Sequence, residues 1–435
     1  MNTGAPEPLE DLDDAAESLE TADTAPDDDT PAAPALVPLD MPAEGVPDVV
    51  VDERRLLEAA RAIAAGQGPV AIDAERASGY RYGQRAYLVQ IRREGSGTWL
   101  IDPIACPDLA PVAEAIGDAE WVLHAATQDL PCLAEVGLRP ARLFDTELGG
   151  RLVGLPRVGL AAVVEHYLGL SLAKEHSAVD WSTRPLPEPW LRYAALDVEV
   201  LVQVRDAVAA DLAAQGKVEW AQQEFDALTR FQGPPVRTEP WRRTSGMHRI
   251  RSRRGAALVR ELWQARDAIA VERDVSPGRV IPDAGLIELA TRAPTSPADL
   301  GDGPTSRATR RYQRQWIAAV RRALALPESE LPLLTLRADG PPPARAWADR
   351  DPVAGARLAQ ARATLAELAS AHSMPVENLL SPDALRRVLW TPPEPADHEA
   401  LGAALRELGA RPWQVDLAAP IVVAVIEAHP QPVAG

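Results

Sequence analysis

The stretch Val70-Ala71-Ile72-Asp73-Ala74-Glu75 decides the fold, because it is an apolar strand candidate that carries two carboxylates. Side chains two positions apart on a strand share one face, so Asp73 and Glu75 project together. Two anions this close repel each other unless a cation lies between them, and carboxylate oxygens suit Mg²⁺ or Mn²⁺. The motif therefore indicates a divalent-cation site, although two solvent-facing carboxylates at a strand end would have the same pattern.

Residues 50–230 alternate short β-rich runs with helical stretches. The predicted strands are 70–74, 87–92, 98–102 and 121–125, each bounded by Gly, Pro or charged residues. The predicted helices are 54–65, 129–136, 160–168 and one long helix, 187–214. Strands followed by helices predict an α/β domain with a central sheet covered by helices.

Two further acidic motifs follow along the chain. Asp129 comes after the apolar run 121–125, in the first turn of a predicted helix, where an acidic residue is commonly structural. In Tyr193-Ala194-Ala195-Leu196-Asp197 the phenol and the carboxylate are four residues apart and share one helical face. Taken singly, each motif is also explained by a capping residue or a surface charge.

The order of these motifs resembles that of the DEDD family of 3′–5′ exonucleases, in its tyrosine-bearing branch. The segment Lys174-Glu175-His176-Ser177-Ala178-Val179-Asp180-Trp181-Ser182-Thr183-Arg184-Pro185-Leu186 resembles the signature of the ribonuclease D family. The strand segment Tyr87-Leu88-Val89-Gln90-Ile91 and the helix-opening Phe144-Asp145-Thr146 are also similar to family segments. Ala74 departs from the family, in which many members carry Thr, but leaves the acidic spacing intact. The resemblance implies a ribonuclease H-like fold with a mixed central sheet.

The resemblance also implies two-metal-ion hydrolysis of a terminal phosphodiester, with Mg²⁺ or Mn²⁺ as the cofactor. Asp73 would bridge two ions, Glu75 and Asp197 would complete the shell of one, and Asp129 would hold the other, largely through waters. Tyr193 would orient the attacking water, because a phenol with a pKa near 10 is a poor base at neutral pH. The expected products are nucleoside 5′-monophosphates from a free 3′ end.

Four further residues are predicted near the substrate. Lys174 and Arg184 are candidates for phosphate contact, although Arg184 could instead fix its loop by pairing with Asp180. Gln90 is a substrate-binding candidate. His124, five residues before Asp129, is predicted to be structural or to lie at the edge of the substrate.

The formal net charge of −18 is unevenly distributed over the 435 residues. Residues 1–49 contain 14 Asp and Glu and no Lys or Arg, and this composition predicts a disordered acidic tail. The two cysteines, Cys106 and Cys132, exclude a disulfide framework. No apolar run reaches about 18 residues and no signal segment is evident, so we expect a cytoplasmic protein without membrane contact.

Two helical modules are predicted after a linker at 231–241. Residues 242–325 contain 17 Arg against 8 Asp and Glu and resemble the HRDC domain of RecQ-type helicases and ribonuclease D. Their arginine excess predicts a phosphate-facing surface, with Arg249, Arg251, Arg253 and Arg254 as candidates, although a solvated helix face would have the same composition. A second linker, 326–343, precedes a second HRDC-like domain at 344–430, whose Pro-Asp helix start at Pro382-Asp383 repeats Pro282-Asp283.

The favoured hypothesis is a monomeric exoribonuclease that trims the 3′ ends of tRNA or other stable RNA precursors. A 3′–5′ DNA exonuclease acting in repair is an alternative that keeps the chemistry. A non-catalytic RNA-binding scaffold is the alternative from another class, and the intact set of carboxylates argues against it.

Overall fold

The computed structural model describes residues 36–172, 178–300, 306–335 and 340–431. The described residues form two compact units. One unit comprises 236–335, and the other joins 36–235 to 340–431. No described helix is long and apolar enough to cross a lipid bilayer.

A mixed six-stranded sheet organises residues 36–235. Its strands are β2 (Val49–Val50), β3 (Gln67–Arg76), β4 (Ala86–Glu94), β5 (Gly97–Ile101), β6 (Glu120–Leu123) and β7 (Arg142–Asp145). A separate two-stranded sheet contains β1 (Val37–Leu39) and β8 (Leu170–Leu172). The sheet order is β2-β5-β4-β3-β6-β7, in which β4 is antiparallel to both neighbours and the other pairs are parallel. This arrangement confirms the predicted mixed central sheet.

Helices cover both faces of the sheet. They are α1 (Glu53–Ala65), α2 (Ala110–Ile116), α3 (Leu130–Glu135), α4 (Thr146–Val153), α5 (Leu160–Leu168), α6 (Glu188–Glu199), α7 (Leu201–Ala214) and α8 (Val218–Leu228). Alternation along β3 assigns the faces: Val70 and Ile72 share a core with α1, whereas Ala71 packs with Val198 of α6. Asp73 and Glu75, which follow Ala71 at intervals of two, therefore lie on the α6 face.

The predicted single helix 187–214 is wrong, because the chain breaks at Val200, whose ψ is 2°. α6 packs on β3, β4 and β5, whereas α7 packs mainly on α4 and less extensively on β3 and β6, so the main neighbours of the two helices differ. The predicted strand 121–125 is also too long, since β6 ends at Leu123 and Ala125 has a left-handed φ of 58°.

The disordered acidic tail is predicted to span residues 1–49, but its last part contains strand residues. β1 pairs with β8 and β2 pairs with β5, so residues 37–39 and 49–50 belong to sheets rather than to a disordered segment. These residues have the apolar side chains that the acidic portion of the tail lacks, and strand pairing satisfies their backbone groups. Residues 1–35 lie outside the described residues.

The unit 236–335 is helical throughout its described residues. Its helices are α9 (Arg253–Arg273), α10 (Pro277–Val280), α11 (Asp283–Arg292), α12 (Ser306–Arg311) and α13 (Gln313–Ala325). The long helix α9 supplies the centre of a core that includes Trp241, Leu286 and Trp316. Buried Arg266 of α9 bonds to Asp283 at 2.5 Å and fixes the start of α11.

Residues 340–431 share a core with the α/β domain instead of forming a separate bundle. Their helices are α14 (Trp347–Arg350), α15 (Pro352–Ala371), α16 (Val376–Leu379), α17 (Pro382–Trp390), α18 (His398–Glu407) and α19 (Pro412–Ala428). One buried cluster contains Phe144 and Leu152 of the α/β domain together with Leu358 and Val422 of these helices. The succession α15-α16-α17, of 20, 4 and 9 residues, repeats the 21, 4 and 10 residues of α9-α10-α11.

Lys217 lies at the junction between the α/β domain and the C-terminal helices. It is 2% exposed, and its ammonium donates to the Leu152 carbonyl at 2.6 Å and to the His372 carbonyl. Leu152 is in the last turn of α4 and His372 caps α15, so one cation meets the negative ends of two helix dipoles. Close contact is also built into the backbone, since a Cβ on Gly154 would lie 2.2 Å from the Ser373 carbonyl oxygen.

We expect Lys217→Met to lower the free energy of unfolding by about 2–4 kcal/mol, because two buried carbonyls lose a charged donor. Urea unfolding followed by circular dichroism measures the change. Arg61→Met, which removes an exposed cation of α1, is the matched control and should leave the midpoint unchanged. Equal midpoints for the two variants would contradict the junction described above.

Candidate active site

Three carboxylates from two elements meet where α6 crosses the sheet. Single carboxylate oxygens of Asp73, Glu75 and Asp197 all lie within 4.8 Å of one another. The crossing is close because Ala194 and Ala195 are fully buried and pack with Leu88 and Leu100 of the sheet. We call this group, together with Asp129, the carboxylate pocket.

Asp129 reaches the same pocket from the turn that follows β6. It occupies the N-cap position of α3, but its side chain makes no capping hydrogen bond and is 5% exposed. The purely structural explanation of Asp129 as a helix cap is therefore wrong. Burial and then the charge of Asp73 raise the pKa of Asp129 well above its usual range.

The pocket is electrostatically unfavourable without a cation. Burial raises the pKa of Asp73 and of Asp197, and it raises the pKa of Glu75 well above its usual range. The charges of Asp73, Asp197 and Asp129 raise the pKa of Glu75 further. A hard divalent cation bound by oxygen ligands would offset this repulsion, and the spacing of the three oxygens suits one such ion.

Tyr193 lies beside the pocket as a protonated phenol. Burial and then the charge of Asp197 raise its pKa above its ordinary value, and the phenol hydrogen-bonds to Asp197. A phenol that keeps its proton donates, so Tyr193 can hold an oxygen in place but cannot act as a base. This agrees with the positioning role expected from its sequence motif.

Arg76 was not predicted from the sequence, yet it is the cation nearest in sequence to the pocket. It ends β3, directly after Glu75, and its guanidinium donates to the Gln128 side chain at 3.4 Å. Its charge lowers the pKa of Asp73, Glu75 and Asp129. Its position next to the Asp-x-Glu motif was the available signal.

The sequence predicts Asp145 only as part of a helix start, but in the structure its carboxylate fixes the turn that leads to Asp129. One carboxylate oxygen accepts from the Ala125, Glu147 and Leu148 amides, and the other accepts from Ala126 at 2.9 Å. It therefore joins the start of α4 to the left-handed turn after β6. No periodic pattern in the sequence indicates the bonds from Ala125 and Ala126, because these residues lie about 20 positions away from Asp145.

Arg184 fixes its loop, and its predicted phosphate contact stays a prediction, because the side chain is bonded to protein groups but is still exposed. Its guanidinium forms two bonds with Asp102, at 2.7 and 2.9 Å, and donates to the carbonyls of Tyr87, Trp181 and Thr183. The alternative partner Asp180 is wrong, since Asp180 bonds to Ser182. Lys174 lies outside the described residues.

Gln90 is not placed to contact a substrate, whereas His124 is partly exposed and bonded within the protein. Gln90 is 0% exposed and is paired in register with Asp73, beneath α6. His124 bonds through Nδ1 to the Thr146 hydroxyl at 2.9 Å, and burial lowers its pKa to about 4. The structural explanation of His124 is therefore supported, whereas the substrate-binding assignment of Gln90 is corrected.

The four arginines predicted to bind nucleic acid divide into two pairs. Arg253 donates to the carbonyls of Leu331 and Pro332, and Arg254 donates to the last carbonyls of α13 and to Glu328. These two are structural, which corrects their predicted role. Arg249 and Arg251 are exposed, and their side chains form no hydrogen bond within the described part of the chain.

Three family models match the chain. The model described as 3′-5′ exonuclease matches residues 48–213, and the model described as HRDC domain matches residues 255–320. Residues 340–426 match a different model, described as 3′ to 5′ exonuclease C-terminal domain. The helical region thus contains one matched HRDC domain and a second helical segment of another description.

Curated relatives and solved structures agree with these matches. Ribonuclease D of Jannaschia sp. (strain CCS1) is 34% identical over 284 residues, covering 62% of this chain and 72% of that protein. Ribonuclease D of Escherichia coli (strain K12) is 31% identical over 284 residues, covering 64% and 74%.

Two crystal structures resemble most of the chain. A protein from Bifidobacterium adolescentis has a TM-score of 0.82 and 41% identity, covering 90% of this chain and 100% of that chain. Escherichia coli RNase D, described as an exoribonuclease involved in structured RNA processing, has a TM-score of 0.65 and 25% identity, covering 88% and 99%.

We expect Asp145→Asn to disturb the carboxylate pocket without removing the α4 cap. Asn retains one oxygen for Glu147 and Leu148, but its NH₂ group would face the Ala126 amide, and this donor–donor contact costs about 1–3 kcal/mol. The stabilisation of the protein by Mg²⁺, measured as a rise in melting temperature, should decrease. Asp52→Asn, at the exposed N-cap of α1, is the control and should leave that rise intact.

Proposed function

Since this chain belongs to the ribonuclease D family and is a metal-dependent 3′–5′ exoribonuclease, we propose that it trims the 3′ ends of tRNA or other structured RNA precursors and releases nucleoside 5′-monophosphates. The observation that carries the proposal is the convergence of Asp73, Glu75 and Asp197 within 4.8 Å, with Asp129 and Tyr193 beside them. Clustered carboxylates of this kind can hold the divalent ions that assist hydrolysis of a phosphodiester.

The proposed cofactor is a pair of divalent ions, Mg²⁺ or Mn²⁺. Asp73, Glu75 and Asp197 would hold one ion, and Asp73 with Asp129 would hold the other. When bound, such ions lower the pKa of a water and stabilise negative charge on the departing 3′ oxygen. The raised pKa values of the four carboxyls support this assignment, because bound cations would stabilise the ionised carboxylates that burial disfavours.

Tyr193 would position the attacking water. Its hydroxyl is anchored to Asp197, and its ring packs 6.5 Å from that of Trp181, so its direction is fixed from both ends. Trp181 is in turn fixed by its own burial and by the bond from Arg184 to its carbonyl. The described part of the segment that resembles the ribonuclease D signature, residues 178–186, thus supports the phenol.

Arg76 is the proposed phosphate contact of the pocket. It is partly exposed, and Gln128 engages one of its nitrogens, so the guanidinium can present its other donors to an RNA backbone. A guanidinium beside the carboxylates would supply the hydrogen-bond donors to phosphate that carboxylates lack.

The HRDC domain would hold the body of the RNA through Arg249 and Arg251. Both are exposed, whereas the neighbouring Arg253 and Arg254 are occupied by carbonyls of their own unit. We further propose that residues 344–430 are a second HRDC-like domain, which the repeated helix succession supports. Because these helices share the core of the α/β domain, their main contribution would be to its stability.

The test of the function uses matched oligonucleotides. An RNA with a free 3′ end should yield nucleoside 5′-monophosphates in Mg²⁺, and the same RNA with a blocked 3′ end should remain intact, because hydrolysis starts at the terminal residue. Mass spectrometry identifies the products. Equal or faster digestion of the matched DNA would overturn the RNA assignment in favour of a DNA exonuclease.

The control is Asp73→Asn combined with Asp197→Asn. Digestion should be lost while RNA binding, measured by fluorescence anisotropy, stays within about twofold, because binding depends mainly on the arginine surface. Residual digestion by this variant would overturn the site assignment, and loss of binding would place the RNA contacts in the pocket instead.

We expect Arg249→Ala with Arg251→Ala to weaken RNA binding and to reduce its salt dependence, by about one unit of slope for each lost phosphate contact. Anisotropy titrations at several salt concentrations measure both quantities. Arg54→Ala with Arg61→Ala, two exposed arginines of α1, is the matched control. Equal binding by both double variants would contradict an HRDC contact.

A further inference from the structure

Gln90 is a fully buried amide whose polar atoms have no hydrogen-bond partner. Its exposure is 0%, and neither Oε1 nor Nε2 is bonded to any described group. Buried amides are almost always bonded, so an unbonded one needs a physical explanation. The side chain lies at the centre of the sheet, in register with Asp73 on β3 and with Leu100 on β5.

The neighbours of Gln90 place its side chain beside the carboxylate pocket. Cross-strand partners point to the same face of a sheet, so Gln90 and Asp73 project together. Leu88 and Arg92, two positions away on β4, both face α6: Leu88 packs with Ala194, and Arg92 is 3.3 Å from Glu199. Gln90 therefore lies beside Asp73, on the face of the sheet that is covered by the helix carrying Asp197.

In the metal-free protein, the unpaired polar atoms of Gln90 lower the stability of the folded state. An apolar side chain of the same shape would fill the space without leaving a donor and an acceptor unpaired. Direct contact with RNA does not explain the amide, since no part of Gln90 is exposed. What remains is an interaction that forms within the pocket itself.

We propose that Gln90 is a positioning residue, whose Nε2 group donates a hydrogen bond to the Asp73 carboxylate when a divalent cation occupies the pocket. This inference rests on the proposed function of the pocket. Asp73 is the shared ligand of that proposal, and its carboxylate accepts a backbone bond from Ala74. A second donor would fix the plane of the carboxylate, as outer-shell partners of metal ligands commonly do.

The test is Gln90→Met, which keeps the length and shape of the side chain and removes its polar atoms. In EDTA, the melting temperature should be equal to or higher than that of the wild type, because an unpaired buried amide is lost. The Mg²⁺ concentration that gives half of the thermal stabilisation should rise about 10–100-fold, as for other outer-shell partners of metal ligands. The variant is thus expected to gain stability and lose metal affinity.

Asn378→Leu is the matched control, since the Asn378 side-chain oxygen is also buried without a partner but belongs to the C-terminal helices. It should leave the Mg²⁺ response unchanged. A lower melting temperature for Gln90→Met in EDTA, or an unchanged Mg²⁺ response, would overturn the role of Gln90. A wild-type protein that shows no Mg²⁺ response would instead overturn the metal site.

Discussion

Repulsion among the four carboxylates of the pocket is the constraint on which the rest of the structure depends. Asp73 and Glu75 share one strand face, and Asp197 is brought onto them by a helix that can approach because Ala194 and Ala195 are small. Burial strengthens the repulsion, since it removes the water that would screen it. The rest of the fold must therefore be stable enough to compensate for this repulsion while no cation is bound.

The bonds around the pocket supply that rigidity. Asp145 fixes the turn of Asp129, Arg184 ties the loop before α6 to Asp102, and Trp181 packs against Tyr193. The C-terminal helices extend the same hydrophobic core, and the Trp413 ring stacks 4.8 Å from that of Trp220 on α8. This explains why a helical segment far along the chain belongs to the same compact unit as the sheet.

The sequence predicted what depends on local pattern. Period-two alternation placed Asp73 and Glu75 on one face, and the four-residue spacing placed Tyr193 with Asp197. It failed where the outcome depends on distant partners. The break at Val200 follows from the different main neighbours of α6 and α7. Arg184 bonds to Asp102, which is 82 residues away, rather than to the nearby Asp180. Arginine excess likewise could not distinguish Arg253, which bonds to carbonyls, from exposed Arg251.

The arrangement of bonding partners explains where this chain has Arg or Lys better than net charge does. Arginine is the common cation, with 43 of the 45 basic residues, and its planar fork suits Asp102 and the carbonyls around Arg184. At the α4–α15 junction two helix ends converge, and there the compact ammonium of Lys217 donates to a carbonyl of each. Cations bonded to protein groups, such as Arg184 and Lys217, therefore hold the scaffold together, and the exposed Arg249 is only a proposed phosphate contact. Local net charge alone is for this reason a poor guide to the RNA-binding surface.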